Sequence, residues 1–515
     1  MHRRDARSSR TASDLLAEKR SLSVKHSRAW RSRQLSSKRL RSSGQTAEQF
    51  TEEQQVRQAA DLTNQLKKAQ PHQAAPVLRQ LCCLLSTGNE DAVRFALESN
   101  LVNLLIKQLQ RARGLKPADR RASLDAAWIL TNVAAGEHGT AAAAVPAGPS
   151  LVAHLGAGLG LGVAQQCAWA LGNLAGDCQE WSDKIEANGA ILPLVRLLLG
   201  PLQHEHGALT LAAAQTAAWA LSNILHGSGR QVGSMVGVPD CLEGLSRLLE
   251  QPPSQQLAQE AAWLLASAAA AASDAHLAVI SRAGCFTHAL TLLNNLRHHE
   301  ASAPEACLGN TTAVPLLRAV GHALACGGPS TLEPIFSAQP KGASAAGSIA
   351  EVLKHYCGPG QAACLQQEAA WALGSLCGLK DRIGSDAILM AGALEALLGL
   401  LHGSSTWLAR REAAFAIANL SAGGAAGTGS PEMMLQICAW PTVLQTFLEF
   451  LSSEDQELVM LGLQWLEMFI RTVREPAKAA LMSAGALQRL TCLQSATEVN
   501  LESQQMAAHL IPMFS

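Results

Sequence analysis

QQCAWALGNLAGD, residues Gln165–Asp177, sets a large indole and a carboxamide four positions apart in a run of Ala, Leu and Gly. A buried helix of this composition needs neither group. The same pair occurs earlier in DAAWILTNVAAG, as Trp128 and Asn132, and later in TAAWALSNILHG, as Trp219 and Asn223. Aligned on the first residue, the pattern then decays to Trp263/Ser267, Arg318/His322, Trp371/Ser375 and Phe415/Asn419. The successive steps are 41, 50, 44, 55, 53 and 44 residues. Self-similarity at that period marks a repeat architecture in which each unit buries its apolar face only against its neighbours.

Each unit also carries a phrase such as NGAILPLVRLLL (Asn188–Leu199) or AGALEALLGLL (Ala391–Leu401). There a glycine turn is followed by apolar residues at helical spacing. Strand signals are nearly absent. Two or three helices per unit of about forty residues describe an all-α solenoid of the armadillo or HEAT kind. The longer steps predict loop insertions at Asn294–Thr312 and Gln339–Gln361, and the pair His298-His299 is expected in a solvated loop. GAGLGLG (Gly156–Gly162) lacks the spacing and the preceding strand of a dinucleotide-binding turn, so it reads as an inter-helix loop.

The chain has 515 residues, 48% hydrophobic and 16% charged, with ten Trp, nine Phe and one Tyr. Formal net charge is zero but unevenly spread. Residues 1–42 hold thirteen Lys and Arg against three Asp and Glu, which leaves 28 basic and 38 acidic residues for the remainder. A basic arm on an acidic body predicts either folding back in cis or a partner for the arm. Thirteen scattered Cys without a C-x-x-C pair point to reduced thiols, not a disulfide framework. No apolar signal core follows the N-terminus. Gly139–Gly176 carries no Asp, Glu, Lys or Arg, yet Pro146, Pro149 and the five glycines from Gly148 to Gly162 argue for a buried repeat helix and a loop over a membrane span. AAWLLASAAAAA (Ala261–Ala272) is too short to span. Metalloprotease, P-loop, nucleophile-elbow and metal-ligand spacings are absent, so the chain is read as a non-enzyme without cofactor or metal. The acidic body argues against direct nucleic-acid binding.

Residues i and i+4 share a helix face, offset by about 40°. Stacked repeats would therefore set the indoles in one row and the carboxamides in another. A carboxamide offers one acceptor and two donors, enough to hold an extended peptide backbone. Indole slots cover the stems of long side chains, and an indole face attracts a cation by roughly 0.5–2 kcal/mol. Lys and Arg fit both features. Carboxylates would complete such a site: Asp177 follows Asn173 by four residues, and Asp125, Glu260, Glu368 and Glu412 each precede their motif position by three. A core-and-cap role explains one such pair; three copies with the same Asn favour a binding face.

The phrases AAWILTN, CAWALGNLAGD and AAWALSN resemble the armadillo repeats of importin-α, the adaptor for nuclear localisation signals. VPLLRAVGHALACGG (Val314–Gly328) resembles that family's sixth repeat, where Arg replaces Trp. QEAAWALGSLCG and REAAFAIANLSAGG resemble the seventh and eighth, and the tail from Ala477 resembles the last. The resemblance implies a right-handed α-solenoid of about ten armadillo repeats over residues 71–515, the first being Pro76–Gln110. It implies a basic, mostly disordered arm over 1–45 that binds importin-β and folds back as a cargo mimic through Lys38, Arg39 and Arg41. Residues 46–70 form a linker or helix between them. The major cargo groove would use Trp128, Asn132, Trp169, Asn173, Asp177, Trp219 and Asn223, with Asp177 receiving a Lys. The minor groove would use Glu260, Trp263, Arg318, His322, Glu368, Trp371, Glu412 and Asn419, and is degraded: between Arg318 and Asn419 no intact Trp/Asn pair survives. The implied partners are single-cluster basic cargo, importin-β, and an export receptor at the last repeats, in cytoplasm and nucleus. The departures also fit a divergent relative, an armadillo scaffold that has lost transport and binds another peptide or protein partner, and a membrane protein around Gly139–Gly176 is the third reading.

Overall fold

The computed structural model describes residues 51–111, 117–203, 207–226, 229–302, 308–337, 345–379, 383–402, 406–422, 431–496 and 499–514. These residues are helical, with no strand among them. They group into two compact units, one ending at His288 and the other beginning at Ala289.

In the first unit five motif-bearing helices stack in sequence order: α1 (Pro71–Leu85), α2 (Pro117–Ala134), α3 (Leu161–Asp177), α4 (Ala208–Ile224) and α5 (Gln255–Ala271). In the second unit α6 (Leu308–Cys326), α7 (Ala363–Cys377), α8 (Trp407–Ser421) and α9 (Gln456–Val473) do the same. Ala, Leu and small polar residues dominate their interiors, so neighbouring axes approach closely on nearly every face. In α3, Val163, Ala164, Cys167, Ala168, Ala170, Leu171, Leu174 and Ala175 are all buried. Burial pushes the Cys167 thiol up to about 12, and none of the twelve described cysteines is in a disulfide.

The second phrase of each repeat begins where the sequence analysis places it. Helices Ile191–Leu198, Cys285–Ser302, Ala393–His402 and Ala486–Ser495 each follow a glycine with positive φ: Gly189, Gly284, Gly392 and Gly485. Asn100 and Asp240 take the same left-handed turn before Leu101–Arg111 and Cys241–Glu250. Asn and Asp are the non-glycines that tolerate it best. Segment 46–70 contributes the helix Glu52–Lys68, started by a Thr51/Gln54 capping box and buried through Ala59, Leu62 and Leu66 against the first repeat.

Two expected loops are corrected. Asn294–Ser302 continues the helix that starts at Cys285, so His298-His299 is helical, and 308–312 opens α6. No Gly or Pro interrupts 285–302, so the polar turns simply prolong the helix. Ala345–Cys357 within the second expected loop is a helix whose Leu353 and Tyr356 are fully buried. GAGLGLG does connect helices, its last two residues already in α3. Gly139–Gly176 is cut into Gly148–Ala153, α3 and short turns. Among the described residues no single helix is long and apolar enough to cross a membrane. Ile383–Met390 and Ala393–His402 reach that length only as a pair bent by 80°, and Leu397 and Leu401 of the second are core residues of the repeat.

Candidate functional site

In the first unit the carboxamides fall into a register from helix to helix. Asn173 Nδ2 donates to the Thr131 carbonyl at 3.1 Å, and Asn223 Nδ2 donates to the Gly172 carbonyl at 2.9 Å. In each case the acceptor immediately precedes the Asn of the previous repeat. Asn132 Nδ2 donates at 2.9 Å to Ser86 Oγ, which itself donates to the Cys82 carbonyl at 2.6 Å. Ser86 thus relays the same contact into α1, where Arg79 and Cys83 stand at the Trp and Asn positions. One donor of each amide therefore fastens two repeats together. An amide carries two donors and a two-lone-pair acceptor, so this bond uses one of its three functions. All three Asn are half-buried.

The indoles are graded. Trp128 and Trp169 are half-buried, whereas Trp219 and Trp263 are 8% and 4% exposed. Trp219 lies over Gly172: a Cβ built there would stand 2.2 Å from Cζ3 of the ring. Gly176 faces the Asn223 amide in the same way, at 3.1 Å. Trp128 Nε1 has no hydrogen-bond partner among the described residues. A cavity of about 40 Å³ opens beside Asn132, lined by Ser86, Glu90, Gly136, Glu137 and Thr140.

Asp177 ends α3 and is held by His138 Nδ1. Asp125 is fully buried, 3.4 Å from both Arg79 and Arg121. Burial pushes its carboxyl up, against the pull of the two guanidinium groups. Its charge is spent inside the stack. Glu260 is partly buried beside Trp263, with Ser267 buried where an Asn would be.

The second unit satisfies itself. Arg318 and Glu368 form a buried ion pair, their side chains 10% and 11% exposed. This repeats the Arg79–Asp125 pattern, an Arg at the Trp position reaching the carboxylate of the following repeat. His322 is buried edge-on against Trp371, ring centres 4.9 Å apart, and Gly321 underlies that indole as Gly172 underlies Trp219. Ser375 Oγ turns back to the Trp371 carbonyl, 3.0 Å away. Arg411, paired with Glu457, sets its guanidinium 5.8 Å from the Phe415 ring centre. Glu412 is buried, and Asn419 keeps the inter-repeat bond, donating to the Gly374 carbonyl at 3.1 Å. Lys38, Arg39 and Arg41 lie outside the described residues.

Sequence reasoning omitted Ser86, Arg79, His138 and the small residue three positions after each Trp. That last signal was readable: Thr131, Gly172, Ser222, Ala266, Gly321, Gly374 and Ala418 are all small. The histidine had no such signal, because its partner lies 39 residues away.

No family model matches the chain. It is 28% identical to importin subunit alpha-9 of Arabidopsis thaliana over 80% of this chain and 76% of that protein. It is 26% identical to importin subunit alpha-2 of Oryza sativa subsp. japonica over 76% and 69%. An engineered protein of known crystal structure superposes with a TM-score of 0.69, at 24% identity, over 89% of this chain and 98% of its own. The fold is that of armadillo-repeat proteins, and the similarity to importin-α subunits runs over most of the chain.

Proposed function

We propose that this relative of importin subunit alpha is a soluble adaptor that binds a single cluster of basic residues along its first unit and delivers the cargo to importin-β through residues 1–45. The observation that carries the reading is the asymmetry between the units. In the first, successive Asn amides stand in register, each fastened to the previous repeat by one N–H, beside the half-buried indoles of Trp128 and Trp169. In the second, Arg318, Arg411 and His322 occupy the carboxylate and the aromatic faces that a basic peptide would need. Bipartite cargo is therefore not expected to gain from its second cluster. Such an adaptor works in cytoplasm and nucleus, with an export receptor as a further partner at the last repeats.

The test is fluorescence anisotropy of a labelled lysine-rich signal peptide on the full chain. Trp169→Ala and Asn173→Ala should each weaken binding by about 1–3 kcal/mol, the range for a buried anchor. Binding should also weaken with salt, since charge pairing contributes. Equal affinity in both variants and wild type would remove the groove from the account. A pull-down with importin-β, with and without residues 1–45, tests the arm separately.

A further inference from the structure

The carboxylate proposed to receive a lysine already has an occupant. His138 opens the short helix His138–Ala142, directly after the Gly136 turn, and its Nδ1 bonds to Asp177 Oδ2. Its ring lies flat on Trp181, with centres 4.7 Å apart and planes 5° from parallel. The histidine side chain is 68% exposed, while Asp177 is only 22% exposed. The imidazole thus stands on the solvent side of the carboxylate and covers it. Stacking on Trp181 gives the ring a fixed seat without burying it.

Resting on the adaptor reading above, we infer that His138 is a specificity-determining residue of the first unit. It is an internal partner that a lysine must displace from Asp177, so that basic peptides enter in exchange for the imidazole. A weakly basic cluster, with one lysine and little backbone engagement, does not displace it. A dense cluster held by the Asn row does.

The charged groups beside His138 are Asp177 from α3, in direct contact with the ring, and Glu180 from the helix Gln179–Ala187. Glu180 is itself held low chiefly by Lys184, 2.6 Å away, and more weakly by His138. An entering lysine must break the contact between the imidazole and Asp177, and that cost disappears when the ring is removed.

The experiment is peptide anisotropy on the full chain for wild type, His138→Ala, Asp177→Asn and the double variant. His138 is mostly exposed, so its variant keeps the fold, which circular dichroism checks. The expected result is that His138→Ala binds about two- to fivefold tighter than wild type, the worth of an exposed side-chain pair. Asp177→Asn should lose affinity, and removing His138 in that background should change nothing. Equal or weaker binding by His138→Ala, or the same gain with Asp177→Asn present, overturns the inference and leaves the adaptor reading standing. No binding by wild type or His138→Ala overturns the adaptor reading and this one with it.

Discussion

Gly172→Ala is a small change with a large consequence at the centre of the proposed groove. The added Cβ would lie 2.2 Å from Trp219 Cζ3 and 2.8 Å from Cε3. Ordinary carbon contacts need about 3.5–4 Å, so the indole must retreat by roughly 1.5 Å. Trp219 is 8% exposed, and a buried Trp covers about 200 Å², worth about 5 kcal/mol at 25 cal/mol/Å² if wholly expelled. A partial retreat costs less, within the 1–3 kcal/mol range of overpacking, about 2–3 here. Replacing a mid-helix Gly by Ala returns about 1 kcal/mol of helix propensity. The net expectation is a loss of about 1–2 kcal/mol and roughly tenfold weaker binding of a basic peptide, because Trp219 and the Asn173 face move together. Gly162→Ala in the same helix is the control. Its Cβ meets only Leu124 Cδ1, at 3.8 Å, so it should be neutral or stabilising by about 0.5 kcal/mol. Urea unfolding followed by Trp fluorescence and circular dichroism, with peptide anisotropy alongside, reads both effects. A Gly172→Ala protein as stable and as tight-binding as Gly162→Ala would refute the seating of Trp219 on α3.

Two further outcomes are expected. Arg318→Ala strands Glu368 at about a tenth exposure and should cost about 3–5 kcal/mol, whereas Arg318→Met with Glu368→Leu should recover most of it; thermal unfolding of both variants decides, and equal losses would show that the pair is not the cause. Burial pushes the Cys241 and Cys285 thiols up to about 12, so at about pH 8 almost no thiolate forms; with Cys167 they should resist a thiol reagent in the native protein, while exposed Cys492 reacts, as site mapping by mass spectrometry would show.

The repeat and its helices were legible because local rules carry them. The Trp-x-x-x-Asn period, the Ala/Leu interiors and the turn before each second phrase are written in neighbouring residues. Reading that turn as glycine alone missed Asn100 and Asp240, which hold the same positive φ. The expected loop at 294–312 was read from the longer repeat step, but among the described residues that extra length goes into helix, with no breaker before Pro304. The site was half legible. The pattern placed Asn132, Asn173 and Asn223 on one face, but it did not show that each spends one N–H on the previous repeat.

The sequence by itself determined that this is an array of helical repeats with a row of indoles and a row of carboxamides. It also showed which repeats lack the pair. Only the tertiary structure decided which polar groups remain for a ligand. Asp125, Glu368 and Asp177 look alike as carboxylates near a motif, yet the first two are neutralised by arginines from the preceding repeat and the third is covered by His138. Those partners lie 39 to 50 residues away in the chain. A helical period says which face a side chain occupies. What already sits on that face is set by the stacking of one repeat on the next.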